Sequence, residues 1–323
     1  MKWKPWNRLV RPSTLAFWRE GRNARDYSFW DWLHGYVYGR WTYLYIGTGI
    51  GEHPLAGVLR PALGTYFRLR RGARRLRRKL MGQGSGEQHR VRITMADTYH
   101  GKVVPLDAAR QLVLVKEEIR LQNLEKIIPY ARARDIILKN PGHIVALECP
   151  CRSAREHPCL PLDVCLIVGE PFASFVIEHH PRRSHWITPD QAVEILQAED
   201  ERGHVHHAFF KDAMFGRFYA ICNCCSCCCG AMQSQRGGNL MLASSGYLAR
   251  VDEDQCIGCG ECKESCQFGA LSVDEFVSAV DVEQCMGCGV CVSKCAQGAL
   301  SLERAPEKGE PLEILELMDR MVR

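Results

Sequence analysis

Asp254-Gln255-Cys256-Ile257-Gly258-Cys259-Gly260-Glu261-Cys262-Lys263-Glu264-Ser265-Cys266 is followed 29 residues later by Glu283-Gln284-Cys285-Met286-Gly287-Cys288-Gly289-Val290-Cys291-Val292-Ser293-Lys294-Cys295. Each run reads C-x2-C-x2-C-x3-C. The surroundings repeat as well: Gly269-Ala270-Leu271-Ser272-Val273 after the first run matches Gly298-Ala299-Leu300-Ser301-Leu302 after the second. Three thiols at successive x2 spacing wrap a tight loop around one face of a metal centre, so a fourth ligand has to come from elsewhere in the chain. Zinc modules also use C-x2-C pairs. Three thiolates in succession, duplicated, suit an iron–sulfur cubane better than two zinc sites.

The segment from about Gly246 to Glu303 resembles the bacterial-type dicluster ferredoxin domain, in which the fourth Cys of each run ligates the other cluster. The resemblance implies two [4Fe–4S] clusters. Cys256, Cys259, Cys262 and Cys295 would hold one, and Cys285, Cys288, Cys291 and Cys266 the other. Glycines between the ligands would let backbone N–H groups turn toward the sulfurs and tune the potential. One departure is plain: the residue after the fourth Cys is usually Pro, but here it is Gln267 and Ala296. Pro is a turn device and not a ligand, so its absence bears on local rigidity and potential.

Ten further Cys lie upstream. Cys149, Cys151, Cys159 and Cys165 form one group. Cys222, Cys224, Cys225, Cys227, Cys228 and Cys229 put six thiols in eight residues. Small buried hydrophobes can account for an isolated Cys, but not for six crowded thiols beside Asn223 and Ser226. Adjacent residues of an extended chain face opposite ways, so one ribbon can feed two metal centres. Ten thiolates suffice for one or two additional iron–sulfur clusters, with zinc as the competing occupant. His179, His180, His185, His204, His206 and His207 are further potential ligands, although a helix-end or surface role is the commoner one. His206 is the residue to test.

The order Cys149-Pro150-Cys151-Arg152, Cys159, Cys165, Thr188 to Ala192, Gly203-His204-Val205-His206, Ile221 to Gly230, and then the dicluster segment resembles a loosely described family. Its members are bacterial and archaeal 4Fe–4S dicluster-domain proteins that serve as accessory electron carriers. The resemblance covers about residues 106–303 and implies iron–sulfur binding.

The chain has 323 residues and 18 Cys. Thiols in that number, behind a start with no apolar leader-like stretch, point to a reducing, cytoplasmic setting and to metal ligation. Charge is unevenly placed. Residues 1–92 hold 19 Lys/Arg against 5 Asp/Glu, and residues 93–323 hold 23 against 32. Six of the seven Trp precede residue 42, and residues 68–79 carry eight positive charges in twelve positions. Gly82-Gln83-Gly84-Ser85-Gly86 reads as a linker. An aromatic body beside a polybasic run fits docking through residues 1–80, either to a redox partner protein or to the anionic inner membrane face. Nucleic acid would satisfy the same charges, but the redox company argues against it. Gly47-Thr48-Gly49-Ile50-Gly51 lacks the final glycine of a dinucleotide fingerprint and reads as a glycine turn.

The expected fold class is α+β: a middle α/β domain with Cys-rich loops, followed by a C-terminal (βαβ)2-type dicluster ferredoxin domain. The expected divisions are 1–92 (docking segment and linker), 93–245 (Cys-rich domain), 246–303 (ferredoxin domain) and 304–323 (C-terminal helix). Within the middle, periodicity predicts a helix from Asp107 to Ile128 and a second from Pro129 to Lys139, closed by Asn140-Pro141-Gly142. His143 to Leu147 reads as a buried strand that delivers Cys149, and Phe172 to Ile177 as another strand. Thr188 caps a helix that runs to about Arg202, with Gly203 at C′. Phe215 to Ile221 leads into the thiol cluster.

The expected function is single-electron transfer through [4Fe–4S] clusters, to or from a partner oxidoreductase. The alternative is an iron–sulfur reductase whose Cys222–Cys229 loop binds an unusual cluster acting on a disulfide or small molecule. A regulatory iron–sulfur scaffold is the non-redox option. No Ser/His/Asp constellation or phosphate loop argues for independent catalysis.

Overall fold

The computed structural model describes residues 10–24, 27–58, 61, 65, 96–122 and 124–322. The polybasic run at 68–79, the linker at 82–86, and Trp3 and Trp6 lie outside the described residues. Helices and strands mix in an α+β arrangement. Three helices open the described chain: α1 (Pro12–Asn23), α2 (Phe29–Arg40) and α3 (Thr42–Ile50). Then follow β1 (Tyr99–Val103), α4 (Leu106–Leu114), β2 (Ile119–Leu121), β3 (Ile136–Leu147), α5 (Pro150–Ser153), β4 (Cys165–Glu170), α6 (Phe172–His179), β5 (Ser184–Ile187) and α7 (Pro189–Glu201). The middle closes with β6 (Val205–Lys211), β7 (Arg217–Cys224), α8 (Gly230–Arg236) and β8 (Leu242–Ala243).

These strands form one sheet in the order β2-β3-β4-β7-β6-β1-β8, with β5 paired to β3. Every pairing is antiparallel except β1 with β8. The expected α/β character of the middle is therefore corrected. The connections are not parallel crossovers but hairpins and helical excursions that return antiparallel.

Side chains alternate between two cores, as the pleat requires. Ile136, Leu138, Ile144 and Ala146 of β3 join one core with α4 and α7. Val145 and Leu147 join the other, with Phe17 of α1, Tyr38 of α2 and Phe172 and Phe175 of α6. The aromatic front is thus packed on the second face of the sheet. The Tyr38 and Tyr219 hydroxyls meet at 2.8 Å, the Tyr27 hydroxyl donates to the Ala213 carbonyl at 2.6 Å, and Glu20 pairs with both Lys139 and Arg217. Phe29, Trp30 and Trp41 remain exposed.

Several local expectations change. The predicted Asp107–Ile128 helix stops at Leu114, because the chain turns at Val115 and enters β2, where Ile119 and Leu121 are buried and Arg120 is not. The predicted second helix, Pro129–Lys139, is instead the approach to β3. Asn140-Pro141-Gly142 is an irregularity within that strand: Asn140 has φ 47° and the register to β4 shifts between Lys139 and Ile144. The predicted strand Phe172–Ile177 is helix α6, which buries Phe172, Phe175, Val176 and His179 at helical spacing. The glycine turn at 47–51 is the end of α3, with Gly51 at φ 94° as its left-handed cap. Helix α7 matches its reading: Thr188 and Gln191 form a reciprocal capping box, and Gly203 has φ 79°.

The C-terminal part contains β9 (Tyr247–Val251), α9 (Glu261–Ser265), β10 (Leu271–Asp274), β11 (Val277–Val280), α10 (Val290–Lys294) and β12 (Leu300–Arg304). Pairing is antiparallel within β9–β12 and within β10–β11. The terminal helix α11 (Ile314–Val322) packs on the first core through Ile314, Leu317 and Met318.

Candidate metal centres

The sequence repeat becomes a structural repeat. Asp252 Oδ1 accepts from the Asp254 and Gln255 N–H groups at 3.0 and 3.4 Å, and Asp281 Oδ1 accepts from Glu283 and Gln284 at 2.9 and 3.1 Å. Each carboxylate thus turns the chain into its C-x2-C loop. Gly258 and Gly287 sit at φ 66° and 62°, and a Cβ on either would lie 2.5 Å from the Phe276 carbonyl oxygen or 2.1 Å from that of Tyr247. Only glycine fits where the loop presses on the backbone behind it.

A cavity of about 20 Å³ is lined by Cys285, Cys288, Cys291 and Cys266, three thiols of the second run and the fourth of the first. Burial raises the Cys288 thiol, and the charges of Cys291, Cys266 and Cys285 add to the effect. Burial likewise pushes Cys291 up to about 12, helped by Cys285, Cys266 and Cys262. Thiols that resist ionisation next to one another become joint ligands when a cationic centre neutralises them. N–H donors are also in place: Ala270 donates to Cys266 Sγ at 3.3 Å and Ser278 to Cys256 Sγ at 3.4 Å. The Ser278 hydroxyl lies 3.2 Å from Cys262 Sγ. Cys259 is exposed, and half-buried Cys295 packs on a small core that includes Cys262, Cys285 and Cys291.

The ten middle thiols divide into two sets. Cys159, Cys225, Cys227 and Cys228 bring all four sulfurs within 4.8 Å of one another. Cys149, Cys151, Cys165, Cys222, Cys224 and Cys229 instead line a cavity of about 80 Å³, and Cys225 and Cys228 contribute to its wall. The end of β7 marks the division: the strand carries Cys222 and Cys224, and the turn after it carries Cys225, Cys227 and Cys228. Cys222 and Cys224 are two apart on β7 and share the face of the second core, while Asn223 points the other way. Cys165 of β4 is the register partner of Cys222. Cys149 and Cys151 flank Pro150 at the start of α5, just after β3 ends. Hydrogen bonding to Cys151 and burial push Cys149 up to about 12, and contacts with Cys149 and Cys222 hold Cys165 well above 9.0. The front of the chain supplies the opposite wall, through Phe17, Tyr38, Thr42 and Ile46.

The histidines serve elsewhere. His206 Nδ1–H donates to Asn223 Oδ1 at 2.6 Å, and its Nε2 lies 3.8 Å from Asp200. His204 pairs with Glu199 at 2.7 Å, and His180 Nε2–H donates to the Gly39 carbonyl at 2.7 Å. Of the six candidates only His180 borders the large cavity.

Two residues outside the thiol sets hold the thiol loops in place. Arg152 is 1% exposed, pairs with Glu199 at 2.6 Å, and donates to the Asn223 and Pro161 carbonyls at 3.0 and 2.6 Å. Its charge acts on Cys149 of one thiol set and Cys225 of the other. Gln267, noted only as a missing Pro, accepts from the Ser226 N–H at 2.8 Å and donates to the Gly203 carbonyl at 3.0 Å. The residue after Cys266 is therefore hydrogen-bonded into the middle thiol loop. The position of Arg152 directly after Cys-x-Cys was the signal available for the first; nothing local announced the second.

The 4Fe-4S dicluster domain family matches residues 248–296. The match takes in both C-x2-C-x2-C-x3-C runs and points to iron–sulfur electron transfer. No curated protein matches the chain. Among the described residues no helix is long and apolar enough to cross a membrane.

Proposed function

We propose that the chain is an electron-transfer protein that works with a partner oxidoreductase, through two [4Fe–4S] clusters in its C-terminal part and a third in the large middle cavity. Cys256, Cys259, Cys262 and Cys295 hold the first. Cys285, Cys288, Cys291 and Cys266 hold the second, and the cavity they jointly line is the observation that carries the reading. Such clusters accept and release electrons one at a time. The chain's own part is to bury the sulfurs, donate N–H groups to them and separate the centres by packed protein. The second site adjoins the middle: Phe268, Met286 and Cys288 pack on Val103, Val205 and Val290.

For the middle cavity, a volume of about 80 Å³ with six thiols in its wall beside apolar and aromatic side chains suits a multi-atom centre better than a lone ion. Four of its six thiols suffice for one cubane. A chain purified anaerobically should carry about twelve iron and twelve acid-labile sulfide. About eight of each would remove the third cluster from the reading, and none would remove the function.

The surplus of thiols over one cubane's need favours a second reading. In it the cavity holds an unusual cluster with an open coordination position that reduces a disulfide or small molecule. A change in the visible or EPR spectrum on adding such a compound would favour it over the relay. Docking to the partner or to the inner membrane face is assigned to the front of the chain, through exposed Phe29, Trp30 and Trp41 together with the basic residues at 68–79. Loss of co-fractionation on replacing the basic residues 68–79 by Ser tests that assignment and leaves the cavity wall intact.

A further inference from the structure

We propose that Cys159, Cys225, Cys227 and Cys228 form a mononuclear site for one zinc ion, distinct in kind from the cluster sites around it. The four sulfurs all lie within 4.8 Å of one another, with Cys159 to Cys227 at 3.2 Å and Cys227 to Cys228 at 3.7 Å. A tetrahedral tetrathiolate with metal–sulfur bonds of about 2.3 Å places its sulfurs about 3.8 Å apart. A cubane has four irons and four sulfides between its ligands, so its thiolates stand much farther apart. The molecule contains its own comparison. Cys266, Cys285, Cys288 and Cys291 surround a cavity, whereas the Cys159 set closes on itself; among the described residues it is the only group so tightly drawn.

The backbone around the set suits a closed centre. Arg155 donates to the Cys228 carbonyl at 3.0 Å and to Gln233 at 2.6 Å, and Gln233 donates to the Cys227 carbonyl at 2.8 Å. Arg236 reaches the Ser226 carbonyl at 3.5 Å. The loop is thus held by its main chain while its side chains converge. The residues between α5 and β4 that carry Cys159 have no regular structure. A metal bond from Cys159 to the 225–228 loop ties them to the end of β7, beside the wall that Cys225 and Cys228 give the large cavity. Zinc has no redox chemistry, so the site braces the cavity and stores no electron.

The test is metal and labile-sulfide content of the full chain purified anaerobically, with and without Cys159→Ser. The expected result is one zinc per chain in the wild type, lost in the variant, with iron and sulfide unchanged. Loss of iron together with sulfide would make the site a cluster. Loss of one iron without sulfide would make it a rubredoxin-like centre, and an unchanged metal content would remove Cys159 from any metal site; each overturns the proposal. If the variant does not accumulate, zinc-edge X-ray absorption on the wild type decides. Four sulfurs at about 2.3 Å support the site; nitrogen or oxygen neighbours, or no zinc, refute it. The inference does not depend on the clusters, since zinc and iron are read separately in one sample.

Discussion

Arg152 shows how one side chain can serve two thiol sets. Its guanidinium is buried beside Cys149 and Cys225 and balanced by Glu199, itself fully buried. Removing one member of such a pair strands the other. Arg152→Met is expected to cost about 3–5 kcal/mol, read as a lower denaturation midpoint of the metal-loaded chain; a variant as stable as the wild type would deny the pair its role. Glu199 would feel acid: burial raises its pKa, but His204 and Arg152 together bring it below 4.5. A carboxylate depressed in the fold adds stability above its unfolded pKa and loses it as pH falls through the folded one, so this contribution fades below about pH 4.5 and the variant should lack that part of the acid slope. Lys102 runs the other way. Its Nζ donates to the Glu310 carbonyl at 2.8 Å, and burial, opposed by the charge of Glu310, brings its pKa down to about 7. The unfolded chain keeps that proton up to its ordinary 10.5, so stability should rise with pH from about 7 to 10. Lys102→Met should flatten the rise in urea titrations. Gln267 is a further such residue: Gln267→Ala leaves the half-buried Ser226 N–H without its acceptor and should cost about 0.5–1.5 kcal/mol, with iron retained because Cys266 is untouched. Loss of iron instead would give Gln267 a part in the cluster site itself.

At the scale of elements, the sequence was most legible where a residue type admits one local solution. Thr188, Pro189, Gln191 and Gly203 marked both ends of α7 because capping and a left-handed exit are local chemistry. The paired Cys runs were legible for the same reason. The stretch 107–139 misled because apolar residues at mixed spacing satisfy either period, and burial was settled by neighbours far along the chain: Ile119 pairs with Leu138, and Asp135 bridges to Arg217. Phe172 to Ile177 read as a strand by its aromatic and β-branched content, yet its Phe172, Phe175 and Val176 face a core that includes Phe17 of α1. No window around residue 172 contains that partner. The division of the ten middle cysteines was half legible. Two thiol sets were expected from alternation along an extended ribbon, but β7 ends at Cys224 and the second set comes from the turn after it; that Cys159 leaves its own group to join the 225–228 loop follows from β4 and β7 lying side by side.

At the scale of the whole molecule, the proposed electron transfer would use the face where charge and exposure coincide. Along the Cys256 loop and the β10–β11 turn, Asp252, Glu253, Asp254, Glu261, Glu264, Asp274 and Glu275 are all exposed, and Lys263 is the one exposed base within residues 252–276. Within this acidic field Cys259 is exposed, flanked by Ile257 at 63% and Phe276 at 79%. An apolar centre with a charged rim is the form of a transient electron-transfer contact, where charge steers encounter and apolar surface excludes water. Electron exchange through this face should therefore prefer cationic reagents. Reduction by a viologen radical cation is expected to slow as salt rises, since fields are screened beyond a Debye length of about 10 Å at about 0.1 M, and reduction by the dithionite anion to quicken. Glu261→Lys with Glu264→Lys should shrink both dependences without changing iron content, because neither residue touches a thiol. Phe276→Ser should slow transfer to a protein partner and leave the small reagents unaffected. If the viologen and dithionite rates respond to salt alike, electrons enter elsewhere, and the cavity wall formed by the front of the chain becomes the next surface to probe.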